Sequence, residues 1–292
     1  LQDRVSHHTE STDELLHIIK HRLRKTWSSS KAALVCSHAS LRWRLRRYAR
    51  DRGITVRMNN PHLGVDFAAG GFLARRIAAG KRMRGCSRRL GRLRWFRASG
   101  GRARHVVATG LMPSATYGAS VVGVSDAHLT EQRRIAKRIA AGSGRGACTT
   151  TCLAVGGEAF GDVDPATAAV TFAPVLALLS ALWNGQLCHR DFASAWQFFK
   201  VRLAVAGHSW KLAGAPIAAS LLTVRRAGAD WVAPFRIRTH YGDLDCITMP
   251  PLQVVQILRW QARHILDLEV VGNAAEPLGA EFLSCLLYTS PS

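Results

Sequence analysis

Residues 72–97 read FLARRIAAGKRMRGCSRRLGRLRWFR, and this stretch decides how the rest of the chain is read. It carries ten cations, Arg75, Arg76, Lys81, Arg82, Arg84, Arg88, Arg89, Arg92, Arg94 and Arg97, and no acid. Leu90, Leu93, Trp95 and Phe96 are threaded among them. That interleaving argues for an amphipathic helix with an apolar face in a core, and against a disordered tail. The same composition extends outward over 41–104, where 19 of the 40 Lys and Arg face only Asp51 and Asp66, with Trp43, Leu45 and Tyr48 interspersed. Guanidinium groups at that density repel one another when the chain folds, and a polyanion relieves the repulsion. A phosphodiester backbone is the commonest such partner.

The wider composition sets the frame. With 292 residues, 48% hydrophobic and 20% charged, the chain can bury one or two sizeable cores. The formal net charge is +21, and the basic segment supplies most of it. Seven Cys at scattered positions, in a chain too long to need a disulfide framework, favour a reducing compartment. The start shows neither the charged and apolar regions of a signal peptide nor an organelle address, so an intracellular location is expected. Leu1 in place of an initiator Met leads us to expect a longer parent protein. Residues 285–292, Cys-Leu-Leu-Tyr-Thr-Ser-Pro-Ser, resemble the translation of a transposase adapter used in sequencing libraries, and they are left out of the fold reading.

Periodicity divides the remainder. Ser11-Thr12-Asp13-Glu14 fits a capping box ahead of the helically spaced Leu15, Leu16, Ile18, Ile19 and Leu23. Strands are expected at 31–36 and 54–56, with a basic helix at about 40–51 closed by Gly53 between them. Asn59-Asn60-Pro61 reads as a turn into Leu63-Gly64-Val65-Asp66-Phe67. Helices follow at 72–97, 102–110, 113–122 and 126–141, with a Gly-rich linker at 142–146. Asp164-Pro165 supplies a cap and a first-turn Pro for a helix over 165–183, and further helices are expected at 191–206, 215–227 and 251–267. Residues 235–239 and 244–248 flank Tyr241-Gly242-Asp243 as a hairpin. The uncharged run 165–187 is long enough to span a bilayer, but Pro174 and its polar residues favour a buried helix pair, and no membrane partner is expected.

The order of these pieces resembles the end of the palm and the thumb of a reverse transcriptase from a non-LTR retrotransposon. The likeness covers about residues 1–145 and is looser over 146–280. It implies four divisions: a palm remnant over 1–70, a basic helical thumb over 71–145, an α-rich extension over 146–284, and the adapter-like tail 285–292. The fold class is α+β, mostly α, with a short palm-like α/β remnant, a basic helical bundle and an α-rich region bearing one β-hairpin. By the same resemblance, Asp3 stands at the first of the family's paired catalytic aspartates, with Arg4 where the second belongs. Lys31 matches the Lys near the incoming nucleotide, and Leu63-Gly64 the turn that grips the primer end. The ten cations from Arg75 to Arg97 match the thumb helix that follows the template–primer minor groove. Thr109 to Ala119 is similar to the Leu-Pro-x(3)-Tyr-Gly element between thumb helices, which places Tyr117 in a core and Gly118 at a close contact.

The intact parent enzyme of such a family uses Mg²⁺. This fragment is expected to hold no cofactor and no small-molecule ligand, to bind an RNA/DNA template–primer duplex, and to be inactive alone, with the nucleus as its presumed location. The alternative reading is a stand-alone basic nucleic-acid-binding module without sequence preference. Cys148, Cys152 and Cys188-His189 do not have zinc-knuckle spacing and read as core thiols. Asp162 and Asp164 read as a helix cap, and Asp243 and Asp245 as a hairpin turn. Trp183, Trp196, Trp210, Trp231 and Trp260 are expected to anchor a core. No Gly-Lys-Ser/Thr phosphate loop is present.

Overall fold

The computed structural model describes residues 10–14, 17–18, 21, 33–35, 39–57, 59–62, 65–68, 77–99, 103–140, 148–157 and 164–278. The fold is α+β and mostly α. The chain forms two compact units, Leu1–Arg76 and Ile77–Ser292.

In the first unit, β1 (Ala33–Val35) runs parallel to β2 (Thr55–Arg57), with Leu34 beside Val56. Parallel strands need a crossover, and α1 (Ala39–Asp51) provides it. The helix buries Leu45 and Ala49. It stops at Gly53, whose φ of 64° lets the Ile54 amide turn back to the Ala49 carbonyl at 2.8 Å. The expected turn at 59–61 is instead a strand: β3 (Asn59–His62) pairs antiparallel with β4 (Val65–Ala68), Pro61 opposite Asp66. A two-stranded ribbon is all edge, so a Pro without an N–H fits there. Residues 10–14 are already helical at Glu10, so Ser11 is not the expected cap. Asp13 has a different task. Its carboxylate accepts from the Tyr48 hydroxyl at 2.7 Å, from Arg52 Nε at 2.8 Å and from Arg52 Nη2 at 3.0 Å, tying this turn to α1. Those bonds, that from Tyr48 first, hold the Asp13 carboxyl below its ordinary range, while desolvation and the bond to Asp13 push Tyr48 up to about 12.

The second unit opens with α2 (Ile77–Ala98) and then α3 (Ala103–Val106), which passes through a π-helical turn at Val107–Leu111 into α4 (Met112–Thr116). Pro113 at the start of α4 has no amide to give, and the Met112 amide reaches back five residues to Val107. After α5 (Ala119–Val122) comes α6 (Asp126–Ala140). Met83, Cys86, Leu90 and Leu93 of α2 share one core with Val107, Leu111, Ile135 and Ile139.

The larger core lies further along. After α7 (Thr149–Gly157), the helix expected from 165 begins only as a turn and a short 3₁₀ segment at Ala169–Phe172 before α8 (Ala173–Trp183). Asp164 does cap that turn, since its Oδ1 accepts from the Ala166 amide at 2.9 Å. It also takes a forked pair from Arg133 of α6, both side chains largely buried. Then come α9 (His189–Val205) and α10 (Pro216–Arg226). Ala218 to Val224 of α10 are buried without a break, and Ser220 and Thr223 return their hydroxyls to the Pro216 and Ala219 carbonyls. The expected hairpin is present as β6 (Arg236–Thr239) and β7 (Gly242–Asp245), but β5 (Asp230–Ala233) joins it to make a three-stranded antiparallel sheet. Asp243 pairs with Arg238 across the ribbon, and Asp245 caps the turn after it. α11 (Pro251–Leu278) closes the unit and buries Val254, Val255 and Leu258.

Two groups of core assignments differ from expectation. Trp196 and Trp231 are core anchors, and Trp210 packs on the core edge, but Trp183 and Trp260 are 48% and 54% exposed. Cys148 and Cys188 are exposed rather than core thiols, whereas Cys86 and Cys246 are buried. Burial pushes the Cys246 thiol up to about 12. No helix among the described residues is long and apolar enough to cross a membrane: the uncharged run is spent on an eleven-residue α8 whose Val175 and Leu179 are fully buried.

Candidate nucleic-acid interface

The basic helix is two-faced by arithmetic. Ala79, Met83, Cys86, Leu90 and Leu93 recur at steps of four and three, which is one side of an α-helix, and each is buried. Burial also raises the Cys86 thiol, a neutral member of that face. The opposite side carries Lys81, Arg84, Arg88 and Arg92 at steps of three, four and four, all exposed. Arg89 and Arg94 are exposed too, one on each flank of the buried face. At 1.5 Å of rise per residue the ridge from Lys81 to Trp95 is about 21 Å long. Nothing within α2 neutralises it, since the helix contains no acid. Glu131 of α6 touches α2 at its flank, where its Oε1 accepts from Ser87 Oγ at 3.1 Å, and its other oxygen lies 3.7 Å from Arg134.

The helix is held in place by packing more than by its own preference. Cations at i and i+4 repel, and Gly80, Gly85 and Gly91 each weaken a helix interior. A methyl group built on any of the three glycines meets nothing within 4 Å, so close approach is not their reason. The buried face supplies the compensating energy: Met83, Leu90 and Leu93 alone contribute about 1.5–3 kcal/mol each on burial.

Arg82 points off the ridge. Its Nη2 donates to the Tyr117 carbonyl at 2.8 Å, and its guanidinium lies 5.5 Å from the Tyr117 ring centre. Tyr117 is therefore not the core residue expected; it is 54% exposed and serves as a platform for Arg82. Gly118 is also explained differently: φ of 79° permits the turn into α5.

Of the residues singled out from sequence, Lys81, Arg84, Arg88 and Arg92 come together on one surface, while Arg89 and Arg94 are exposed on the two flanks of the buried face. Arg97 belongs to the same helix, but its side chain lies outside the described residues, as do Asp3, Lys31, Leu63, Gly64, Arg75 and Arg76. Sequence reasoning missed Trp95 and Phe96 as surface residues. It placed them among the groups that fold the helix, yet they are 79% and 44% exposed. The signal was available: the core steps 83, 86, 90 and 93 put 95 half a turn away from the core.

Among the described residues no group of three or more His, Cys, Asp or Glu could hold a metal ion. One carboxylate, Asp3, followed by the cation Arg4, does not make the two-carboxylate bridge that the Mg²⁺ of a polymerase requires. No step is assigned to it. No family model, curated protein or solved structure matches the chain, so the reading of this surface rests on its own geometry.

Proposed function

We propose that the chain binds nucleic acid through the arginine ridge of α2, by phosphate contacts and without sequence preference. The observation that carries this reading is the exposed ridge Lys81, Arg84, Arg88 and Arg92, on a helix without an acid and opposite a buried apolar face. Phosphate contacts need only charge and reach, so the four ridge cations suffice without a base-specific arrangement. The order of elements favours the thumb of a non-LTR reverse transcriptase as the setting, where the ridge would lie along a template–primer duplex. Polymerisation is not part of the proposal for this chain alone, and primer extension with Mg²⁺ or Mn²⁺ is expected to incorporate nothing.

The test is the salt dependence of affinity for a labelled RNA/DNA hybrid, read by fluorescence anisotropy. Each phosphate neutralised contributes about 0.9 to the slope of log K against log salt. A slope of about 4 or steeper, the same for unrelated sequences, is the expected result. A flat dependence removes the proposal.

A further inference from the structure

We propose that Trp95 and Phe96 form a base-stacking platform at the end of the arginine ridge, so that the preferred ligand includes unpaired bases and is not a fully paired duplex alone. The inference rests on the phosphate-binding reading above and deepens it. Trp95 continues the ridge, three residues beyond Arg92 and seven beyond Arg88, which sets its indole on the same face of α2. It is 79% exposed, and among the described residues no ring or cation contact engages it. Phe96, the next residue, is turned about 100° around the helix and is 44% exposed. The backbone beneath is fixed: the Ser99 amide donates to the Trp95 carbonyl at 3.0 Å, and the Ser99 hydroxyl donates to the Trp95 and Phe96 carbonyls at 3.2 and 3.0 Å. The two rings are thus presented from an ordered helical turn.

A large apolar ring held in water among like charges has little to gain from a phosphate backbone. It gains from a flat π-face, and in a nucleic acid that face is offered by an unpaired base at an end, a loop or a single strand. A second copy of the same surface is disfavoured as occupant, because two acid-free arginine ridges would repel. The first unit repeats the arrangement on its own: Trp43 of α1 is 75% exposed, with Arg46, Arg47 and Arg50 three, four and seven residues on, and with Leu45 and Ala49 buried on the other side. Two helices independently place an indole on an arginine face.

The test compares the full chain's affinity for a labelled single strand of about 12 nucleotides, within the usual site size, with its affinity for an abasic strand of equal length and charge. Both are measured by anisotropy at one salt concentration and again as a salt series. Stacking predicts that the strand with bases binds at least about fivefold tighter, and that Trp95→Ala with Phe96→Ala narrows that gap; a gap the double variant leaves unchanged would overturn the platform. Trp95→Phe should restore part of the difference. Both rings are exposed, so the alanine variant should keep its helical circular dichroism. Equal affinities for the two strands, with a steep salt slope, would overturn stacking while leaving phosphate binding intact. No salt-dependent binding of either strand would overturn both.

Discussion

Replacing Arg84, Arg88 and Arg92 together by Gln isolates the ridge. All three are exposed and at i, i+4 and i+8, so the change deletes three charges from one line without touching the buried face. If each meets one phosphate, the slope of log K against log salt falls by about 2.7, three times the contribution of a single contact. Between about 50 and 200 mM salt, the variant should then lose about 40-fold less affinity than the parent chain. The variant should also fold at least as well, because two like-charge i,i+4 pairs disappear, each worth about 0.2–0.5 kcal/mol. The assay is anisotropy with an RNA/DNA hybrid over a salt series, with Arg190, Lys211 and Arg236 replaced by Gln as the control triple. These are exposed cations of the same unit, away from α2. Equal changes of slope in the two triples would refute the ridge as the binding surface, since that outcome reports net charge alone.

Three further outcomes concern stability. Gly91→Ala should raise the denaturant midpoint by the equivalent of about 0.5–1 kcal/mol, because the position is open and helical; a fall would mean that α2 needs the glycine for another reason. Gly123→Ala should destabilise by about 2 kcal/mol or more: its φ of 66° is unfavourable for any side chain, and the new methyl would sit 2.8 Å from the Trp210 ring and 3.2 Å from Ala219. An unchanged melting temperature would contradict that crowding. Asp13→Asn should cost up to about 1 kcal/mol, modest because the ion pair is partly exposed. Its sign with pH follows from a folded carboxyl that is more acidic than the unfolded one. The stabilisation is complete above the ordinary value of 3.8 and fades as pH falls through the depressed folded value. Thermal unfolding at pH 6 should therefore separate the parent from Asp13→Asn, and the gap should narrow steadily as pH falls below 3.8; a gap that does not narrow in acid would mean the carboxylate charge is not what holds Tyr48 and Arg52.

Much of the architecture was legible in the residues because it is local. The steps 79, 83, 86, 90 and 93 define the buried face of α2, Gly53 ends α1, and the apolar spacing around 175–182 and 218–224 marks helices that α8 and α10 realise. The misses share a cause. Trp183, Trp260, Cys148 and Cys188 were assigned to cores by residue type and Tyr117 by a motif resemblance, and neither says which way a helix or a turn faces. Pro61 suggested a turn because a proline cannot donate in a ladder, yet an edge strand needs no donor on its free side. β5 is only four residues long and holds its place through Trp231, whose indole donates to the Pro234 carbonyl and whose own carbonyl takes Lys200 Nζ from α9.

By itself the sequence determined the charge, its concentration in one acid-free helix, and the helical period that separates cations from core. These follow from composition and from a repeat of 3.6 residues. Only the tertiary structure decided the long-range partners: that Asp13 grips Arg52 and Tyr48, and that Arg82 turns aside to Tyr117. Those outcomes depend on residues far apart in the chain competing for the same buried area, and a local pattern cannot state the result of that competition.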